Sequence, residues 1–327
     1  MKPKYGEEMK YKMKILLISL SAIVISLPSA LAEAENNHSD APTVVKEHTA
    51  NLEDLYKQAL QLINVPENKR DYTRAAELLL QAAEGGHVEA QYSIALRYIL
   101  GQGVSKDFQG AVKWLEKAAA QGLADAQYSL GLRYHLGQNV PQNNAEAKKW
   151  IQQAAEQGHL AAQFNIAYSE ALQGKPENQY KLAHLYYTGK GEKQNFLEAA
   201  KWFAAAAKQG HADAQFSLAV MLNDGEKIKR DLPKAAQWYQ RAAEQGHTNA
   251  QINLGALYGI GSGVQKNRIK AYAWTYLAAS HGNAMAQRNC DYAITRMTPG
   301  EISVARQFAA ELQQKIYPGT FLPEKDK

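Results

Sequence analysis

The chain has 327 residues, of which 46% are hydrophobic and 21% charged, and its formal net charge is +5 at pH 7. Five lysines and only two glutamates fall within residues 1–32, so the remainder carries a net charge of +2, which gives no reason to expect a nucleic-acid partner. The only cysteine, Cys290, excludes a disulfide bond within the chain.

The first 32 residues have the pattern of a secretory signal peptide. Three lysines at 10–14 precede an apolar run over residues 15–27, and a small-residue Ala-x-Ala site follows. We predict cleavage between Ala32 and Glu33 and export to the periplasm or the cell exterior, with no membrane insertion afterwards. The alternative is an uncleaved N-terminal anchor, although the run is short and is interrupted by serines. Residues 33–50 are polar without periodicity and predict a flexible leader.

From Gln91 onwards the chain repeats itself with a period of 36 residues, apart from one step of 16. A fixed period of this length predicts a solenoid built from one supersecondary unit. The glutamines that mark the period are Gln91, Gln127, Gln163, Gln179, Gln215, Gln251 and Gln287. The tryptophans that follow a marker glutamine by 23 residues are Trp114, Trp150, Trp202, Trp238 and Trp274.

The residue pattern of each unit predicts two helices, which we name helix A and helix B. Helix A carries its small and apolar residues at offsets 0, +3, +4 and +7 from the marker glutamine. We expect it to end at a glycine, because a residue just past a helix end often needs a positive φ. We expect helix B to begin after an Asx residue that caps it, and to pack through its alanines and its tryptophan. The predicted terminal glycines are Gly101, Gly137, Gly189, Gly225 and Gly261. The predicted caps are Asp71, Asp107, Asn143, Asn195, Asp231 and Asn267.

The residues of one unit follow the pattern A-x-A-Q-[YF]-x-L-[GA]-x-x-Y-x-x-G-x-G and then A-x-x-W-x-x-x-A-A-x-x-G. This pattern resembles the Sel-1-like repeat, a tetratricopeptide-like αα-hairpin, over roughly residues 51–316. The resemblance implies an all-α solenoid wound as a right-handed superhelix, and a scaffold that binds other proteins.

The repeat pattern divides the chain into segments. The short step between Gln163 and Gln179 predicts a helix A followed by another helix A, which is either a neutral insertion or a groove reshaped for a partner. The predicted segments are a divergent N-terminal repeat at 51–86, two repeats at 87–158, an extra half-repeat at 159–174, three repeats at 175–282, a capping hairpin at 283–316 and a frayed tail at 317–327.

The capping hairpin has its own signals. Thr298, Pro299 and Glu301 form a predicted helix start, with the threonine as N-cap. We expect the outer surface of this hairpin to be polar, as a closing repeat requires. The residues that should provide this polarity are Arg296, Arg306, Gln307, Gln313 and Gln314.

The residues that could carry chemistry are few. Cys290 stands where other units have Ile or Leu, so we expect it to be buried. Histidines follow the glycine after helix B in four units, but equivalent positions of stacked helices lie about 8–10 Å apart, too far for one metal ion. We therefore interpret them as helix-start residues, and no sequence motif indicates catalysis. The four histidines are His87, His159, His211 and His247.

The remaining candidate is a binding surface on helix A. We expect offsets +5 and +6 to face away from the core and to bind a protein partner. The alternative for the two arginines is that their side chains lie along repeat contacts. The predicted binding residues are Leu96, Arg97, Leu132, Arg133, Tyr168 and His184.

The predicted function is therefore a monomeric, non-enzymatic scaffold without cofactor or metal, which binds a protein or peptide in its groove. Its role would lie in the cell envelope, in regulation or in host interaction. One alternative is a cell-wall-active or β-lactam-hydrolysing enzyme, and another is an adaptor that remains anchored in the membrane.

Overall fold

The structure, a computed structural model, describes residues 43–319. The predicted signal peptide, its cleavage site at Ala32 and Glu33, and the end of the predicted tail lie outside these residues. Within the described range the chain is all-α, with fifteen α-helices, one short 3-10 turn at Glu67–Lys69 and no strand. The helices are α1 Thr43–Ile63, α2 Tyr72–Glu84, α3 Val88–Leu100, α4 Phe108–Ala120, α5 Ala124–Leu136, α6 Asn144–Glu156, α7 Leu160–Ala171, α8 Pro176–Thr188, α9 Phe196–Lys208, α10 Ala212–Asp224, α11 Leu232–Glu244, α12 Thr248–Ile260, α13 Arg268–Ser280, α14 Ala284–Ile294 and α15 Pro299–Ile316.

Consecutive helices pack as αα-hairpins, so the prediction of an all-α solenoid is confirmed. Within hairpins α1 packs on α2, α3 on α4, α5 on α6, α8 on α9, α10 on α11 and α12 on α13. Each of the helices α2, α4, α9, α11 and α13 also packs on the helix that follows it. The chain forms two compact units, one up to Ile166 and one from Ala167.

The predicted helix boundaries are confirmed at both ends of the repeat. All six predicted Asx caps accept a hydrogen bond from a backbone N–H of the first turn, as Asp107 Oδ1 does from Gly110 N at 2.9 Å. The five predicted terminal glycines lie in the left-handed region with φ between 68° and 77°. The local sequence therefore sets where each helix stops and where the next one starts.

The core of each unit is made by the alanines of helix B and the side chains of the adjacent helices. Ala118, Ala154, Ala206, Ala242 and Ala278 are fully buried, which allows neighbouring helices to approach closely. Trp274 is only 3% exposed, whereas the other four tryptophans are half-buried at the flank of the core. Trp114, Trp150 and Trp238 pack against the buried clusters of their units.

The marker glutamines connect adjacent repeats through buried hydrogen bonds. Gln91 is 4% exposed; its Nε2 donates to the carbonyl oxygen of Ala83 at 3.1 Å, while its Oε1 accepts from Gln121 Nε2 at 2.8 Å. The same glutamine pair recurs 36 residues later between Gln127 and Gln157, at 2.7 Å. The amides of five marker glutamines, Gln91, Gln127, Gln163, Gln215 and Gln251, donate to a carbonyl of the preceding helix, which accounts for their fixed spacing along the chain.

The short step between the glutamines at 163 and 179 corresponds to α7 and α8. These two helices follow one another across residues 172–175, and no helix lies between them. At the N-terminus, α1 already begins at Thr43, so the prediction of a flexible leader is wrong for residues 43–50. This first helix has 21 residues, whereas α3 and α5 have 13 each.

The capping hairpin agrees with the prediction in two respects and differs in two. Thr298 and Glu301 form the predicted capping box, and Cys290 is 1% exposed, with burial raising the pKa of its thiol to about 12. Gln313, in contrast, is 4% exposed because α15 packs this face on α13, so the prediction of an outer position is wrong. Tyr317 is not frayed: its ring lies 4.1 Å from that of His281, and its hydroxyl donates to the Gly246 carbonyl at 3.1 Å.

Candidate functional site

The structure buries four of the six predicted binding residues. Leu96, Arg97, Leu132 and Arg133 are between 2% and 8% exposed, so the prediction that they face away from the core is wrong. A helix inside a stack is covered by its own partner helix and also by the neighbouring repeat. Its buried face is therefore wider than the narrow stripe from which we predicted the outer positions.

The two arginines lie within repeat contacts, which agrees with the alternative interpretation. The Arg97 guanidinium lies 5.4 Å from the centre of the Tyr72 ring, and its Nη1 donates to Gln102 Oε1. Arg133 lies near Tyr92 of the preceding repeat. Burial lowers the pKa of both arginines from the ordinary value, and the Nε of each is buried without an acceptor.

The other two predicted residues lie nearer the surface. Tyr168 is half-buried and meets the ring of Trp202 edge-on, with 5.8 Å between the centroids. His184, on α8, is exposed. His184 also lines a cavity, so one of the six predicted positions belongs to a site that a ligand could enter.

This cavity lies between α8 and α10 and has a volume of about 360 Å³. We name it the α8–α10 pocket. That volume is at the lower end of the range for ligand pockets, and it matches one large side chain better than a cofactor. The lining residues are Tyr180, His184, Tyr187, Phe203, Asp213, Phe216, Ser217, Val220, Met221 and His247.

Aromatic rings form much of the wall of the pocket. The Tyr180 ring lies 5.7 Å from that of Phe203, and the Tyr187 ring lies 6.5 Å from Phe203. The ammonium group of Lys227 lies 4.7 Å from the centre of the Tyr187 ring and donates to the Tyr187 hydroxyl. Such rings offer a large contact area at little cost in side-chain entropy.

Different side chains stand at the equivalent positions of α3 and α5. Arg133 stands there at the position that Met221 occupies in α10, and it lies beside Tyr92, the equivalent of Tyr180. Leu96 stands at the position of His184 and is buried. At this position one repeat pair therefore carries a long, buried arginine, whereas the other carries a methionine that lines a cavity.

A second cavity, of about 290 Å³, lies between α13 and α15. Its lining includes Glu244 and Glu311 together with Lys270 and Lys315, so charges of both signs surround it. None of the predicted binding residues lies there. We therefore take the α8–α10 pocket as the candidate site.

The histidine at the edge of the pocket belongs to a motif that recurs along the chain. His247 caps α12, since its Nδ1 accepts from the Ala250 N–H at 3.1 Å, and its Nε2 lies 3.3 Å from Asp213 Oδ1. Its ring stacks on Phe216 with 4.4 Å between centroids. The predicted role of the histidines as helix-start residues is confirmed. The other histidine–carboxylate pairs are His87 with Glu53, His159 with Asp125, and His211 with Glu177.

The His247 cap predicts a pH dependence of stability. Burial lowers the pKa of His247, and the Asp213 carboxylate opposes this only in part. The folded state therefore binds a proton less readily than the unfolded chain, so the free energy of unfolding should fall as the pH decreases from about 7 to about 5.

We expect His247→Asn to reduce this pH dependence, because Asn283 caps the equivalent helix α14 without a titrating group. Thermal unfolding at a series of pH values measures it. A variant with the same pH dependence as the wild type would contradict the role of His247.

Within the described residues, no three or more His, Cys, Asp and Glu side chains are grouped so that they could hold a metal ion. None of the helices in residues 43–319 combines the length and the apolar character needed to cross a membrane.

Comparison with known proteins identifies the repeat. The family model of the Sel1 repeat matches more than half of the chain and leaves out residues 160–175, which contain α7. The matched segments are residues 69–87, 88–123, 124–159, 176–211, 212–247 and 248–283. No curated protein matches the chain.

Several solved structures are similar to this chain. A Sel1 repeat protein from Oxalobacter formigenes is 26% identical, with 87% of this chain and 89% of that chain covered and a TM-score of 0.37. The protective antigen c5321 of uropathogenic Escherichia coli, which displays an SLR fold, is 21% identical, with 87% and 98% covered and a TM-score of 0.32. The immunity protein Pa5087 from Pseudomonas aeruginosa is 21% identical, with 83% and 88% covered and a TM-score of 0.29.

Proposed function

The chain belongs to the Sel1 repeat family, and from this premise we propose that it is a non-enzymatic scaffold that binds a protein or peptide partner at the α8–α10 pocket. The repeat fold is a protein-interaction scaffold. The observation that supports this particular site is the cavity between α8 and α10, where Met221 and the exposed His184 stand at the positions that the buried Arg133 and Leu96 take in α5 and α3.

The chemistry of the pocket favours a large apolar side chain as the anchor. Phe203 and Met221 are each 2% exposed and form its floor, while Tyr180 and Phe216 are half-buried at its walls. An aromatic or aliphatic side chain that enters the pocket removes apolar surface of both partners from water, at about 25 cal/mol per Å². A few such central anchors commonly dominate the energy of an interface.

Met221→Arg should block the pocket, because it places there the side chain that fills the equivalent position in α5. We expect the recovery of a partner from cell-envelope extract to fall at least about tenfold, a loss typical of one interface anchor. Helicity should remain unchanged, since Arg97 and Arg133 occupy equivalent positions in folded repeats.

Met221→Leu is the matched control and should leave recovery unchanged, because it keeps the volume and the apolar character of the site. Cross-linking from position 184 then tests whether the recovered protein contacts the pocket. Equal recovery by the wild type and by Met221→Arg would contradict the pocket as the binding site.

We propose further that the mature protein acts outside the cytoplasm, as a component of the envelope, a regulator or a host-interaction protein. The support for export is the sequence of residues 1–32.

The intact mass of the protein recovered from the envelope should correspond to a chain that begins at Glu33. A mass that includes residues 1–32 would instead support the membrane-anchored adaptor, and hydrolysis of a chromogenic β-lactam by the purified protein would contradict the absence of catalysis.

A further inference from the structure

The charge at the wall of the α8–α10 pocket indicates which partner segment would fit. The Asp213 side chain lines the pocket and is 58% exposed. Among the described residues its ion-pair partner is His247, which is uncharged near neutral pH because burial lowers its pKa. The negative charge of Asp213 is therefore available to a ligand.

A second carboxylate lies one repeat earlier at the equivalent position. The Glu177 side chain is 60% exposed, and its Oε2 lies 2.9 Å from Nε2 of His211. Its other oxygen lies 3.9 Å from Nζ of Lys181, which is itself 61% exposed, so this pair is weak. The first turns of α8 and α10 thus present two accessible carboxylates: Asp213 lines the pocket, and Glu177 lies near Tyr180 of its wall.

The lysine that lies on the Tyr187 ring does not cancel the charge of Asp213. Lys227 follows the C-terminal end of α10, whereas Asp213 lies in the first turn of that helix, about 16 Å away along the helix axis at 1.5 Å per residue. The ammonium group of Lys227 is held on the Tyr187 ring, and Asp224 and Glu226 lie close to it. Among the lining residues of the pocket, Asp213 is the one carboxylate and none is Lys or Arg, so the formal charge of its wall is negative.

We propose that the α8–α10 pocket receives a large apolar side chain from a segment whose flanking residues are Lys or Arg, which pair with Asp213 and Glu177. This inference rests on the proposed function and specifies the chemistry of the partner. Basic residues beside the anchor gain Coulomb attraction and steer the encounter, whereas acidic residues at the same positions are repelled.

Two synthetic peptides test the inference. Each is a fluorescein-labelled heptapeptide with phenylalanine at its centre, flanked on both sides by two lysines in one peptide and by two glutamates in the other. Fluorescence anisotropy with the full chain should give a dissociation constant at least about tenfold lower for the lysine peptide at low ionic strength. This preference should shrink in about 0.5 M salt, because salt screens exposed charges.

Asp213→Asn should raise the dissociation constant of the lysine peptide about threefold to tenfold. The dissociation constant of the glutamate peptide should not rise. The matched control is Asp125→Asn, which removes the equivalent carboxylate of α5 from its pair with His159; Asp125 does not line the pocket, so this variant should not change the binding of either peptide. Met221→Arg should abolish the binding of the lysine peptide.

The outcomes separate this inference from the proposed function. If both peptides bind equally and Met221→Arg abolishes both, the charge preference is wrong and the pocket remains the binding site. If neither peptide binds, or if Met221→Arg has no effect, both the inference and the proposed pocket are overturned. An equal loss in Asp125→Asn and Asp213→Asn would also overturn the inference.

Discussion

Replacing Trp274 by alanine is expected to lower the free energy of unfolding by about 3–5 kcal/mol. Trp274 is the one tryptophan of the repeats that is almost fully buried, at 3% exposure, and it packs in one cluster with Leu312 and Ala309 of α15. Its removal leaves a cavity between the last repeat and the capping helix. The loss of stability therefore combines the free energy of burying the indole ring with the cost of the cavity. Urea unfolding followed by circular dichroism measures the change.

The control for this experiment is Trp202→Ala, at the equivalent position two repeats earlier. Trp202 is half-buried, so less surface is returned to water and we expect a loss of about 1–2 kcal/mol. Similar losses in the two variants would show that position in the repeat, and not burial, decides the contribution of these tryptophans.

Gly103→Ala should be the second severe substitution, with an expected loss of about 3 kcal/mol or more. Gly103 has a φ of +75°, which alone costs a residue with a Cβ atom about 1–2 kcal/mol. A Cβ atom there would also lie 1.8 Å from the carbonyl oxygen of Tyr72, at the start of the preceding helix B. Because this obstacle is backbone, the loop between α3 and α4 must move away from α2, which adds the cost of overpacking, about 1–3 kcal/mol.

Gly122→Ala separates the two causes. Gly122 has a φ of +96°, but a Cβ atom there would have no neighbour within 4 Å. We expect this variant to lose only the backbone part, about 1–2 kcal/mol. If Gly103→Ala is no more destabilising than Gly122→Ala in chemical denaturation, the close contact between the loop and α2 does not contribute to stability.

The boundaries of the helices could be predicted from the sequence because their signals are local. An Asx side chain caps the helix that begins beside it, and a glycine ends the helix that precedes it, as Asp107 and Gly101 do. The residues that decide each boundary are therefore adjacent in the chain, and a repeat shows them several times. The burial of Cys290 followed in the same way from its position in the repeat.

The exposure of the helix A face could not be predicted in this way. Whether an offset is buried depends on the neighbouring repeat, and Arg97 is covered by contacts with Tyr72 and Gln102 that a single helix pattern does not contain. The pocket was also missed, because side chains of α8, α9 and α10 that are distant in the sequence line it together. One of its lining residues, Met221, stands where α5 has Arg133. Comparing repeats position by position for a change in side-chain length would have found it.

The docking of Tyr317 has a consequence for the length of the array. Earlier repeats receive a glutamine from the next helix B at this junction, but the equivalent position after Gln251 is His281. The Tyr317 hydroxyl takes that place: it accepts from Gln251 Nε2 at 3.1 Å and donates to the Gly246 carbonyl. A further repeat inserted after α13 would have to displace Tyr317 from this junction. Tyr317 therefore closes the array at this end, and a lengthened array would need a glutamine at position 281.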